Sequence, residues 1–303
     1  MLKQRVITAI ILLAVLIASY WAGPVAFAGV MAIGFGLAQW EWLRLAGLSN
    51  LVSGIVALVV TGSSAILAFL VYQDIQILSQ AASQYQVLYA NLSTLFVLYL
   101  AVIALLWVGV AIRVFFARHS GMKVARPVVA VTAVFFAPAA WLSFVAMYGA
   151  LGITMVISLL MIVWVADIMA YFTGMAFGKN RMAPAISPKK SWEGVAGGML
   201  SVILLGLLAY WVAPDVQTVP SVIIEKSGYL AWIVIAFVLV SLSIVGDLFE
   251  SALKRQAGIK DSSNLLPGHG GFYDRLDAMM PTLPAGFLVV SIVMANAAVA
   301  AAG

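Results

Sequence analysis

Apolar residues in this chain fall in long uninterrupted blocks separated by short polar joints, not in the alternation of strands or the stripes of soluble helices. Nine blocks approach the length of a bilayer crossing: 6–22, 25–43, 51–72, 92–112, 128–148, 151–173, 195–213, 229–248 and 283–302. Backbone polar groups in hydrocarbon must pair within their own segment, which a helix achieves. The pattern therefore predicts an all-α, polytopic integral membrane protein with about nine transmembrane helices. The stretch 73–91, carrying Gln73, Asp74, Gln76, Gln80, Gln84 and Gln86, reads as a polar loop with a short surface helix. Glu41 and Arg44 close the second block, which places its last turn at the membrane interface. The first block follows Lys3 and Arg5 as a signal peptide would. No small-residue cleavage site follows it, and a new apolar stretch begins at Val25, so it reads as a retained first crossing.

Charge gives the blocks a direction. An odd number of crossings puts the termini on opposite sides. With the N-terminus cytoplasmic and the C-terminus periplasmic, the cytoplasmic joints hold Lys3, Arg5, Arg44, Arg113, Arg118, Lys123, Arg126, Lys179, Arg181, Lys189, Lys190, Lys254, Arg255, Lys260 and Arg275. Of the 16 basic residues only Lys226 falls outside, as the positive-inside rule requires. The net charge of +5 thus reports topology, and no nucleic-acid partner is expected. Composition agrees: 64% of the 303 residues are hydrophobic, 9% are charged, and mean hydropathy is +1.11. The absence of cysteine excludes disulfides and thiolate chemistry. Two histidines, His119 and His269, are too few for a His-rich zinc site, so a metal would be a hard cation held by carboxylates.

Residues 1–150 hold little chemistry and are expected to form a scaffold of about five transmembrane helices. The catalytic region is expected in 151–303, where Gly, Pro, Lys, Arg and Asp gather in two cytoplasmic loops, 174–194 and 249–282. Asp247 lies near the cytoplasmic end of the eighth block. Helical spacing puts Ser251 and Lys254 or Arg255 on its face, with Glu250 alongside. An acid at that depth needs a partner, a cation or a wet cavity. An Asp–Lys pair at a helix end would satisfy it alone. Downstream, Pro267-Gly268-His269-Gly270-Gly271 lets backbone N–H groups approach phosphate oxygens, and Asp274 and Asp277 follow three apart. On a helix these two would share a face and, with Asp247, could hold Mg²⁺ against a triphosphate; otherwise the segment is a solvated turn with ordinary ion pairs.

The run from Ser251 to Asp277 also carries Leu253, Lys254, Arg255, Lys260, Asp261, Ser263, Leu266, Pro267, His269-Gly270-Gly271-Phe272 and Asp274-Arg275-Leu276-Asp277 at fixed spacing. It resembles the signature of the phosphatidate cytidylyltransferases (CDP-diacylglycerol synthases). A second stretch is similar to that family too: Asp167, Ala170-Tyr171, Gly174, Phe177-Gly178-Lys179, then Ser187-Pro188-Lys189-Lys190-Ser191-Trp192-Glu193-Gly194. Ile168 and Met169 depart from the smaller or polar residues expected after the Asp. The resemblance covers residues 160–280; the first five blocks match in hydropathy alone.

The resemblance implies that CTP and phosphatidic acid give CDP-diacylglycerol and pyrophosphate at the cytoplasmic face of the inner membrane. It implies Mg²⁺ with a second cation such as K⁺, contact with membrane lipids, and a homodimer. Asp247, Asp274 and Asp277 are then expected at the metal, with Asp167 beside it or at a second cation. Lys254, Arg255, Ser251, Ser187, Lys189, Lys190, Asp261, His269 and Arg275 are expected on substrate, with Gly270 and Gly271 shaping the loop. Two other readings compete: a CTP-dependent polyprenol or phytol kinase, and a secondary transporter using Asp167 and Asp247 as proton-coupled acids.

Overall fold

The computed structural model describes residues 2–78 and 84–302 and is built almost wholly from helices. In chain order these are α1 (Leu2–Trp21), α2 (Pro24–Leu45), α3 (Asn50–Leu78), α4 (Gln84–Ala117), α5 (Arg126–Leu151), α6 (Ile153–Phe177), α7 (Trp192–Val212), α8 (Val219–Ser227), α9 (Tyr229–Ala257), α10 (Tyr273–Leu276) and α11 (Met279–Ala302). Each predicted apolar block overlays one long helix. Among the described residues, seven helices are long and apolar enough to cross a membrane, within 50–69, 94–117, 126–151, 153–177, 192–212, 229–257 and 273–297. The apolar part of α1, Val6–Trp21, is shorter. Large apolar side chains such as Ile10, Leu58, Leu105 and Leu230 are exposed along these helices, as suits a lipid solvent.

Three differences from expectation have local causes. The polar stretch 73–91 is mostly a continuation of α3 and α4, because Gln, Leu and Ala are good helix formers; residues 79–83 lie outside the described residues. Helix α9 runs on to Ala257, so Asp247, Ser251 and Lys254 all stand on continuous helix. The loop 174–194 contains an antiparallel hairpin, β1 (Arg181–Ala183) and β2 (Ser187–Ser191), with Arg181 opposite Ser191 and Ala183 opposite Ser187. Ser191 ends the hairpin and caps α7, its hydroxyl accepting the Gly194 N–H at 3.2 Å.

The chain forms two compact units. The first comprises 1–103, 124–145 and 253–276. Its core includes Trp42, stacked on Tyr273 with centroids 4.6 Å apart and edge-on to Phe136, all three buried. Buried Gln39 donates to the Ala133 carbonyl at 3.0 Å and accepts from Thr61 at 3.1 Å, so a polar group inside α2 is satisfied.

The second unit comprises 104–123, 146–252 and 277–303. Here α6 and α7 meet through small residues. Methyls at Gly194 or Gly198 would press on the carbonyls of Ala170 and Ala166. Trp232 lies over Gly206 and donates to the Ile203 carbonyl at 3.1 Å. This backbone-close packing fixes the start of α7, and with it the hairpin that precedes it.

Candidate active site

In the second unit, the hairpin delivers Lys190 to α9. Its ammonium lies 2.6 Å from Asp247 Oδ2, the two side chains keeping 24% and 31% exposure. Asp247 Oδ1 accepts from Ser251 one turn on, at 3.2 Å. Burial by itself disfavours the Lys190 ammonium. The Asp247 charge and hydrogen bond, then the charges of Asp167 and Asp277, more than offset this and hold its pKa above the ordinary lysine value. Three carboxylates thus converge electrostatically on one ammonium. The Ala278 N–H donates to Asp277 at 2.8 Å, and Asp277 shares a hydrogen bond with buried Glu250. Gly246 lets α9 pass against the backbone at Asp277, whose carbonyl a methyl there would overlap. The hairpin is braced by Glu193, which accepts from the backbone of Lys179 and Asn180 at 3.2 Å and from the Asn180 amide at 2.7 Å. Lys189 stays exposed and Ser187 half-buried.

In the first unit, the glycine-rich loop is organised by two carboxylates. Asp274 Oδ1 accepts from Lys254 at 2.5 Å, and the pair keeps only 6% and 14% exposure respectively. Asp274 Oδ2 accepts from the Ser262 N–H at 2.8 Å and the Gly271 N–H at 2.7 Å. The second carboxylate is Glu41 of α2, fully buried. It accepts from Tyr273 N–H at 2.7 Å, Phe272 N–H at 3.2 Å and Ser263 Oγ at 2.5 Å. Ser262 Oγ stands between the acids, 3.0 Å from Glu41 and 2.7 Å from Asp274, so its single proton serves one at a time. The tip is a tight turn in which Leu266 and His269 N–H groups donate to Gly270 and Leu266 carbonyls, both at 2.8 Å. Gly268 and Gly270 hold positive φ there, at 78° and 82°. Gly271 has no room for a methyl, which would meet Ser262 Oγ and the Glu41 carboxylate. Arg275 folds back, donating twice to the His269 carbonyl at 3.0 and 2.7 Å. Asp261 and Arg255 are exposed.

The predicted residues therefore fall into two sets, one per unit. Asp167, Lys190, Asp247, Ser251 and Asp277 are brought together in the second, and Lys254, Asp274, Gly270 and Gly271 in the first. Asp247 pairs with Lys190 of the hairpin, and Lys254 pairs with Asp274 of the loop. Asp274 and Asp277 do not share a helix face, because α10 ends at Leu276. Among the described residues, no three acidic or histidine side chains are gathered closely enough to enclose a metal alone. A hard cation suits the chemistry of the second set, where Asp247 lies against Lys190 and Asp167 and Asp277 act on the same ammonium through their charge. Both oxygens of Asp274 are occupied, so it would offer one to a cation only by releasing Lys254. Glu41 was read from the sequence as an interfacial helix end. An acid between Trp40 and Trp42 at the end of an apolar helix was the available signal of a buried partner.

Known proteins resemble this chain in sequence over most of its length. A phosphatidate cytidylyltransferase of Pseudomonas aeruginosa is 37% identical over 287 residues, 94% of this chain and 95% of that protein. A phosphatidate cytidylyltransferase of Haemophilus influenzae is 32% identical, covering 94% and 96%. One from Thermotoga maritima is 38% identical over 149 residues, about half of each chain. The model of the cytidylyltransferase family matches residues 3–293, from α1 through most of α11. The chain belongs to the cytidylyltransferase family.

Proposed function

We propose that this protein is a phosphatidate cytidylyltransferase, converting CTP and phosphatidic acid to CDP-diacylglycerol and pyrophosphate. The observation that carries the reading is the convergence of Asp167, Asp247 and Asp277 on Lys190, in a chain matching named phosphatidate cytidylyltransferases over 94% of its length. In this reaction a phosphate oxygen of phosphatidate attacks the α-phosphorus of CTP. The bond from that phosphorus to the bridging oxygen of the β-phosphate breaks, and the electron pair leaves with pyrophosphate. The lipid phosphate is ionised near neutral pH, so no strong general base is required and His269 need only contact substrate.

Two anions must approach each other, so neutralising charge is the main task. Lys190 is held cationic by its acidic neighbours, and exposed Lys189 and Arg255 add positive charge. The loop built on Asp274 presents a fixed curve of backbone for phosphate oxygens. Asp247, with Asp277 and Asp167, would hold Mg²⁺, which when bound polarises phosphoryl oxygens and offsets charge on the leaving pyrophosphate. A second cation such as K⁺ belongs to the same proposal. In this proposal the basic residues set the topology, nine crossings of the inner membrane with the N-terminus and active site cytoplasmic, and the family resemblance adds a homodimer.

The test uses purified protein, phosphatidate in mixed micelles, Mg²⁺ and CTP labelled in the base. Label entering lipid, with one pyrophosphate released per cytidylyl group, is the expected result. Phosphorylated lipid without label would mean γ-phosphoryl transfer, and no product at all would end the reading.

A further inference from the structure

We propose that Glu41 is a positioning residue for the glycine-rich loop, holding its backbone in the shape that takes the nucleotide phosphates. The proposal rests on the cytidylyltransferase reading for what the loop binds; that Glu41 sets the loop's shape rests on contacts alone. Glu41 is 0% exposed, and more than 220 residues of chain separate it from every group it binds. Its two oxygens face four donors: Ser263 Oγ and Phe272 N–H at Oε1, Ser262 Oγ and Tyr273 N–H at Oε2. With the Ser262 proton turned to Glu41, all four contacts are donated to the carboxylate.

Among the described residues no lysine or arginine is paired with this buried acid; neutral loop donors satisfy it instead. A buried carboxylate needs such donors, so the loop must stay closed around it to avoid a large desolvation penalty. The donors bracket the functional segment. Ser262 and Ser263 lie before the turn, and Phe272 and Tyr273 lie after it. Glu41 therefore clamps the two ends of the turn that carries Gly268, His269, Gly270 and Gly271. Packing supports the clamp from both sides. Trp42 stacks on Tyr273 at a 14° interplanar angle, Phe272 lies 3.8 Å from where a methyl on Gly34 would be, and Thr8 of α1 donates to the Pro267 carbonyl at 2.9 Å. Glu41 is not placed on substrate. It acts through the loop, and through Ser262 on Asp274, since one hydroxyl proton serves both acids.

Glutamine is nearly the same size but brings two N–H donors. Whichever way the amide turns, one pair of loop donors faces another donor. Glu41→Gln should therefore loosen the loop without opening a cavity. The experiment compares wild type, Glu41→Gln, Glu41→Asp and Ser263→Ala in detergent, by steady-state kinetics and by amide hydrogen exchange. For Glu41→Gln, kcat/KM for CTP should fall roughly 100-fold, as expected when reacting groups are misplaced by about 1 Å. The KM for phosphatidate should not move. Exchange should quicken in peptides covering 262–274 while the transmembrane helices keep wild-type protection. Glu41→Asp retains the charge and should recover part of the loss. Ser263→Ala, which folds around an intact carboxylate, should lose about tenfold, the value of one hydrogen bond to a charged group. A purely structural role would instead lower stability throughout and change both KM values or neither. Unchanged loop exchange in Glu41→Gln, or an opened loop with wild-type kcat/KM, overturns the proposal. If wild type itself transfers no cytidylyl group, the functional reading fails, while loop exchange still decides whether Glu41 holds the turn.

Discussion

The Lys254–Asp274 pair offers a quantitative test of how the loop is held. At 2.5 Å, with 14% and 6% exposure, it is an almost buried ion pair. Breaking such a pair from one side is expensive, about 3–5 kcal/mol, because the remaining charge is left buried. In Asp274→Asn the amide oxygen can still face the Ser262 and Gly271 N–H groups, so the loss falls mainly on Lys254. Lysine's partial exposure lets it reach water, which places the cost near the lower limit, about 3 kcal/mol. In Lys254→Met the carboxylate keeps its loop donors, so one charge-assisted hydrogen bond goes, about 2 kcal/mol. Independent effects would sum to about 5 kcal/mol, but the double variant has no stranded charge and should lose only about 3, a coupling of about 2 kcal/mol. Local opening of the loop is read from amide exchange in peptides covering 260–273. Protection should fall by about two powers of ten in Asp274→Asn and no further in the double variant. Additivity to within about 0.5 kcal/mol would refute the idea that the pair holds the loop.

Other outcomes follow from the same geometry. Gly271→Ala should lower turnover on the order of 100-fold, since the methyl meets Ser262 and Glu41, whereas Gly62→Ala, with open space around it, should match wild type in the same assay. Lys190→Met should destabilise the protein by about 1–3 kcal/mol, reduced from the fully buried value because both partners retain some exposure. Because the folded protein raises the Lys190 pKa, this stabilisation is complete below the unfolded value of about 10.4 and is lost as pH climbs through the higher folded value. The difference in melting temperature between wild type and Lys190→Met should thus be constant from about pH 7 to about pH 9 and shrink only in stronger alkali; shrinkage near neutrality would contradict the pairing. Chelation with EDTA should stop cytidylyl transfer and added Mg²⁺ should restore it; turnover surviving chelation would remove the carboxylates from a metal role.

Helices were legible because bilayer thickness imposes a block length that hydropathy displays directly. The acidic and glycine-rich loop was legible because its residue types are unusual beside so much apolar sequence. Partner choice was not. Helical spacing puts Lys254 near Asp247 on paper, but Lys190 reaches Asp247 from a hairpin whose Pro188, Lys189 and Lys190 carry no strand signal. That hairpin is set from outside, by the Ser191 cap and by Glu193 gripping the backbone of Lys179 and Asn180. Asp274 and Asp277 looked like a helical pair because their spacing was visible, while the end of α10 at Leu276 was not. Glu41 was the largest miss. A carboxylate at the end of an apolar helix has two explanations, water or a distant partner, and only the fold distinguishes them.

Glu41 also has a consequence for biogenesis. The ribosome makes this acid early, and the serines and amides that satisfy it emerge only after residue 260. Through the 221 residues of synthesis that separate Glu41 from Ser262, the carboxyl of α2 lacks these partners and is sheltered by water or by the insertion machinery. The turn closes around it once Phe272 and Tyr273 have been added. A nascent chain halted before Ser262 should consequently leave α2 loosely seated, and one extended past Tyr273 should lock it.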